Sequence, residues 1–346
     1  MAHELEMVNG QANMVWADTP CWHGLGTQMD PKEGALAWMK AANLDWKVER
    51  RPMETTLPNG QRHVVQGKNN DDYGVLVRDH GTGKFAPEDV FGPIGPEWVP
   101  TQNHEVFEFM EKFCKAGKMK METCGALKGG TELWALAKYN EFEFAKGDTA
   151  VGYILFHSAH IWGKSNQIRN TATRVVCNNT LTAALGEGKN NAFRMPHIRA
   201  FDAEVQQAAE TAVVVAHGQN KRLQEKAQFL SKKKAKPEQV QEFIARVFQP
   251  KLIAERKATN DTTPIMDRFT PSSQNTWDAI TFAPGAELQS AKGTWWGAYN
   301  GVTYHEDHMR FFHNDETNVI GSALIGAGAR RKEQALEMAL EYAEAA

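Results

Sequence analysis

Apolar and polar positions alternate with a period of two through much of the first half of this chain and follow helical spacing through most of the second. Period two sends side chains to opposite faces of a strand, whereas spacings of three and four stack them on one face of a helix. Residues 46–51, 63–65 and 73–78 read as short strands, and Pro58-Asn59-Gly60 is a hairpin turn signal between the first two. Residues 103–114 form an amphipathic helix with Val106, Met110 and Phe113 on one face, Asn103 as its cap and Glu105 in its first turn. Residues 119–127 and 131–138 pair about Lys128-Gly129-Gly130, and 151–156 and 165–176 are two further strands, the last unusually polar.

From residue 201 the period changes. A long helix over 201–230 is broken by the basic stretch 231–237 and followed by a short helix over 239–248 with Val240, Phe243, Ile244 and Val247 apolar. Residues 258–274 read as a polar, mobile loop, and 294–308 and 331–345 as two final helices flanking the glycine-rich piece 321–328. No regular alternation of strand and long helix occurs, which argues against a doubly wound parallel sheet. The predicted class is α+β: a mostly antiparallel sheet packed with helices over residues 1–200, and a helical region over 201–346.

Composition narrows the function classes. With 42% hydrophobic and 23% charged residues the 346-residue chain is an ordinary globular sequence. No apolar run approaches the roughly 20 residues that span a bilayer, and the start, Met1 to Glu6, lacks the features of a signal peptide. Cys21, Cys114, Cys124 and Cys177 are scattered without a CxxC pair, so neither a disulfide framework nor a cysteine zinc site is indicated and a cytoplasmic setting is expected. The net charge of −3 supplies no global field for nucleic acid, although a local groove can still be basic. P-loop, Rossmann, HExxH and GxSxG signatures are absent, and no cofactor is implied.

Four constellations could carry chemistry. Cys177 ends an apolar strand before Asn178-Asn179-Thr180, where a helix start would lower a thiol's pKa; a buried structural thiol is the competing reading. His305 and His308, spaced i, i+3 beside Glu306 and Asp307, are weak metal-ligand candidates that would equally suit a helix C-terminus. The segment Pro20 to Gly26 either presents Trp22 and His23 to a ligand or plugs a sheet edge. The polar strand is the most suggestive: Ser165, Gln167, Arg169, Thr171 and Thr173 share one face, Arg174 points to the other, and Trp162 and Lys164 precede them. Such a face is either an ordinary solvated one or a platform combining stacking with phosphate neutralisation.

Several segments together resemble one family. They are Met1 to Glu6, Pro20 to Gly26, Gln102-Asn103, Cys124 to Gly130, Arg174 to Leu181, and Gly293 to Thr303 with His308. In order along the chain they resemble the phage/plasmid-like protein family, a domain of unknown function (932), with departures at Cys21 and at His157 to Ile161. The resemblance implies a mobile-element setting in a bacterial host and brings no catalytic residues. Taken with the polar strand, the expected function is a non-enzymatic DNA-binding protein, single-strand binding or annealing, acting as a homo-oligomer with a possible phage or host protein partner. Its nucleic-acid contacts would be Trp162, Lys164, Gln167, Arg169 and Arg174. Two alternatives remain open: a metal- or cysteine-dependent enzyme acting on nucleic acid or a host factor, and an interaction protein that inhibits a host defence system.

Overall fold

The computed structural model of the protein describes residues 5–8, 10–18, 25–67, 69–117, 119–174, 179–181, 192–198, 202–310, 322 and 326–345. A two-residue hairpin (β1, Met7–Val8; β2, Gln11–Ala12) leads into β3 (Met14–Trp16), β4 (Thr27–Gln28) and helix α1 (Ala35–Ala41). Next come β5 (Lys47–Pro52), the hairpin β6 (Glu54–Thr56) and β7 (Arg62–Val64), then β8 (Gly74–Asp79), β9 (Val90–Ile94) and α2 (Asn103–Gly117). The long strands β10 (Lys120–Leu127), β11 (Glu132–Ala145), β12 (Asp148–Ala159) and β13 (Asn166–Arg174) precede the short β14 (Asn179–Leu181) and β15 (Ala192–Met195). The rest is helical: α3 (Ala203–Lys232), α4 (Pro237–Phe248), α5 (Pro250–Thr259), α6 (Pro271–Phe282), α7 (Trp295–Tyr304) and α8 (Ala327–Glu344), with a π-helical turn, His305–Met309, continuing α7.

The class is α+β, with sheet in the N-terminal half and helices in the C-terminal half. The main sheet runs β14-β13-β12-β11-β10-β3-β4, antiparallel except for β3 with β4, and β15 also pairs with β13. Alternation along β11 and β12 explains its two covered faces. Leu133, Ala135, Ala137, Ile154 and Phe156 meet Trp38 of α1 and Val106, Phe107, Phe109 and Met110 of α2 on one side. Trp134, Leu136 and Leu155 meet Leu5 and Met14 of the N-terminal segment on the other. Burying a large apolar side chain stabilises by about 1.5–3 kcal/mol, so both faces contribute to the fold. Beyond the N-terminal segment this second face turns polar, with Glu132, His157, Gln167 and Arg169 following in register.

Two expectations from the sequence change here. Residues 47–52 pair with β8, not with 62–64, and the Pro58-Asn59-Gly60 turn belongs to the separate β6–β7 hairpin. The reason is burial: β8 alternates with Leu76 in the core, as Val48 of β5 is, whereas Arg62–Val64 offers no buried side chain. Asn103 does not cap α2; its buried amide donates to Leu44 O at 2.9 Å, while Glu105 Oε2 accepts from the Gln102 amide at 2.7 Å and completes the helix start.

In the C-terminal half, Leu223, Leu230, Phe243, Ile244, Trp295, Trp296, Tyr299, Val302, Leu336 and Ala339 form one core that also takes Phe144, Ala150 and Ala172 of the sheet. Asp148, fully buried in β12, accepts from Ser290 Oγ at 2.5 Å and Trp296 Nε1 at 3.0 Å and so ties sheet to helices. The stretch read as a polar loop over 258–274 holds the end of α5, a 3-10 turn at Ile265–Arg268 and the start of α6. Its polar residues act as local ties: Asp261 accepts from the Thr263 amide at 2.9 Å, and Gln249 Oε1 accepts from Ser273 Oγ at 2.7 Å. Among the described residues no helix is long and apolar enough to cross a membrane.

Candidate functional site

The polar end of the second sheet face forms the floor of a cleft of about 400 Å³. Register assembles it. Gln167 of β13 lies opposite His157 of β12 on one side and Arg194 of β15 on the other, so three distant stretches of chain form one cross-strand row. Glu132 begins β11 beside that row, and Lys128 comes from the β10–β11 turn, where Lys128 and Gly129 both adopt positive φ. Lys164 enters from the β12–β13 turn. The opposite wall is Arg310, Ser322 and the first turn of α8 with Gly326, Ala327 and Arg330.

Glu132 is the hub. Its buried carboxylate accepts from Lys128 Nζ at 2.9 Å, from His157 Nε2 at 2.9 Å and from Lys164 Nζ. Burial alone would push the Glu132 carboxyl up, but the bonds from His157, Lys164 and Lys128 outweigh it and leave its pKa well below the ordinary carboxylate range. Burial holds His157 below the usual imidazole value despite Glu132, so the ring is neutral near pH 7 and its Nδ1 has no partner among the described residues. On the far wall the fully buried Glu306, in the π-helical turn, accepts from Arg310 at 2.9 Å and Arg331 at 2.7 Å. Ser322 Oγ accepts from Arg310 at 2.7 Å and from the Gly328 amide at 3.1 Å, fixing that arginine against the start of α8.

Among the described residues, five cationic side chains thus line the cleft against one carboxylate, Glu132. Arg194 and Arg330 are exposed and make no ion pair among the described residues. The helix start adds the partial positive charge of its amides. An otherwise acidic chain has concentrated positive potential in one concavity, and anions are what such a concavity binds.

A second cleft, about 650 Å³, shares Gly163, Lys164 and Ser165 as a common wall. It is aromatic. Trp98 and His197 stack at 4.1 Å, and Tyr73 meets Trp162 edge to face at 5.9 Å. Trp162 is 52% exposed, an unusual state for so large an apolar ring, and is supported from below by Gly95.

The residues expected from the sequence are distributed over both clefts. Trp162 lines the aromatic cleft, Gln167 the basic one, and Lys164 both. Arg169 shares the Gln167 face, as alternation requires, but its guanidinium is half-buried and donates to Gln167 Oε1 at 2.9 and 3.1 Å. Arg174 ends β13, and its side chain lies outside the described residues, as do Pro20 to Gly24 and Cys177. His305 is buried against Phe248 and His308 lies exposed against Tyr304, so the two are not brought together. Among the described residues no group of three or more His, Cys, Asp or Glu is placed to hold a metal. The basic run 232–236 lies away from both clefts, where the Ala235 amide donates to Gly293 O. Lys128, Glu132, His157, Arg194, Arg310 and Arg330 were not singled out from the sequence; a strand assignment for 192–195 would have placed Arg194 opposite Gln167.

Fold and site define an α+β protein with a cationic cleft joined to an aromatic one. The chain belongs to the family described as a domain of unknown function (DUF932), whose pattern matches residues 90–339, a span that includes every cleft residue of β10 to β15 and of α8. No curated protein and no solved structure matches the chain.

Proposed function

We propose that the chain is a DNA-binding protein that holds a single strand across the Gly163–Ser165 wall, with phosphates in the basic cleft and bases in the aromatic one. The observation that carries this reading is the shared wall: an exposed tryptophan on one side and five cations on the other, joined by Lys164. Single-strand binders combine these two features, because stacking accepts any base and cations neutralise the backbone. A duplex keeps its bases stacked inside and offers Trp162 no face, so the strand form is preferred. A phage or plasmid setting rests on the resemblance seen in the sequence.

Fluorescence anisotropy with a labelled oligothymidine and a duplex of the same length tests the reading at low and physiological salt. The expected result is salt-sensitive binding that favours the single strand and weakens in Trp162→Ala. Absence of binding to either form at low salt overturns it.

A further inference from the structure

Among the described residues, the basic cleft carries more positive charge than one internal phosphodiester requires. Lys128, Lys164, Arg194, Arg310 and Arg330 converge on about 400 Å³, whereas a diester linkage brings a single negative charge. Part of this charge is already answered: Glu132 serves the two lysines and Glu306 serves Arg310. What is left is the pair Arg194 and Arg330, on opposite sides of the cleft, exposed and without an ion pair among the described residues.

The walls also explain why these cations stand ready. Arg310 is held by both Glu306 and Ser322, and Ser322 is itself bonded to the first turn of α8. The lysines are held by Glu132, whose third partner is the buried His157. Such a cradle suits a compact dianion with several acceptor oxygens. A phosphomonoester carries about −1.5 to −2 at pH 7 and three such oxygens, and charge-assisted bonds to it are the strong ones.

We infer that the basic cleft takes the terminal phosphate of a nucleic-acid strand, with Arg194 and Arg330 closing on it from opposite walls and the adjoining nucleotides crossing the wall toward Trp162. This rests on the strand-binding reading above and deepens it, from a backbone groove to a site for strand ends. The same chemistry could be met by a free phosphate, and the test separates the two sources.

Four oligothymidines of equal length, carrying a 5′-phosphate, a 5′-hydroxyl, a 3′-phosphate or a 3′-hydroxyl and labelled at the opposite end, are titrated by anisotropy at physiological salt. A phosphate at one end is expected to tighten binding at least about tenfold over the matching hydroxyl. The Arg194→Ala/Arg330→Ala variant, in which neither changed residue makes an ion pair among the described residues, is expected to remove that preference, while Trp162→Ala weakens both members of a pair equally. Equal binding of phosphorylated and hydroxyl ends overturns the inference and leaves the strand-binding reading standing. In parallel, inorganic phosphate and pyrophosphate are titrated calorimetrically. Their binding without any oligonucleotide binding would overturn both the strand-end assignment and the strand-binding reading, and assign the cleft to a small phosphate compound.

Discussion

Replacing Glu132 by Gln should weaken the fold and tighten the site at once. Glutamine keeps the shape of the side chain and removes the charge that Lys128, Lys164 and His157 share. Removing one partner of a fully buried ion pair costs about 3–5 kcal/mol. Here the lysine side chains keep 38% and 41% of their surface exposed and can turn to water, so roughly half of that, about 2 kcal/mol, is expected. An anion seated on Lys164 lies two charge-assisted hydrogen bonds from the Glu132 carboxylate, about 6 Å. A unit charge at that distance repels it by about 0.7 kcal/mol in a water-like dielectric and about 2.8 kcal/mol near a protein surface. Its removal should therefore tighten phosphate or oligonucleotide binding about 3- to 100-fold. Urea unfolding and anisotropy on the same preparation measure both quantities. A variant that loses stability and also loses affinity would refute the reasoning, because Glu132 would then be needed to shape the site rather than merely to hold its cations.

Two further predictions concern the fold around the site. Gly297→Ala in α7 would place a Cβ 2.0 Å from Ala291 O, a backbone atom that no rotamer change can relieve, so a loss of at least about 3 kcal/mol in urea unfolding is expected; unchanged stability would contradict the close approach at the start of this helix. Burial holds His160 down at about 3 and His305 at about 4, against about 6.5 unfolded. Both folded values are depressed, so stability is complete above about pH 6.5 and falls as the unfolded chain takes up protons, by on the order of 4 kcal/mol at pH 5. A flat urea midpoint between pH 7.5 and 5 would show that these rings are not buried neutral.

Much of the architecture was legible because local patterns and burial agree. The alternation in 131–138 places Leu133, Ala135 and Ala137 on one covered face and Trp134 and Leu136 on the other, and the helical spacing of Val106, Met110 and Phe113 points α2 at the first of these. The β5 partner was not legible, since a nearby turn signal favours the neighbouring hairpin and only the buried Leu76 reveals that β8 competes better. The helix α6 was hidden for a related reason. Its N-terminal cap, Thr270 before Pro271, sits in a polar run whose bonds to Gln249, at the end of α4, appear only when that group is in place.

The site was half visible. Gln167 and Arg169 share a face by strand period alone, and Trp162 and Lys164 flank the turn into it. Period two cannot say which strands lie beside that face. Glu132 and His157 come from two other strands by register, Arg194 from a four-residue strand, Arg310 from the end of the π-helical turn and Arg330 from the first turn of α8. Nor does it reveal that Arg169 donates to Gln167, which moves the expected phosphate contact to Arg194 and Arg330, which make no ion pair among the described residues.

The most direct test of the central claim is the salt dependence of single-strand binding in the wild-type chain and in Arg194→Ala/Arg330→Ala. Each phosphate neutralised on a single strand contributes about −0.7 to the slope of log K against log salt. If the cleft holds the strand, the double variant should bind more weakly and lose about 0.7 from the magnitude of that slope, the contribution of the one phosphate the two arginines share. A folded double variant with unchanged affinity and slope would show that the strand, if bound at all, is held elsewhere.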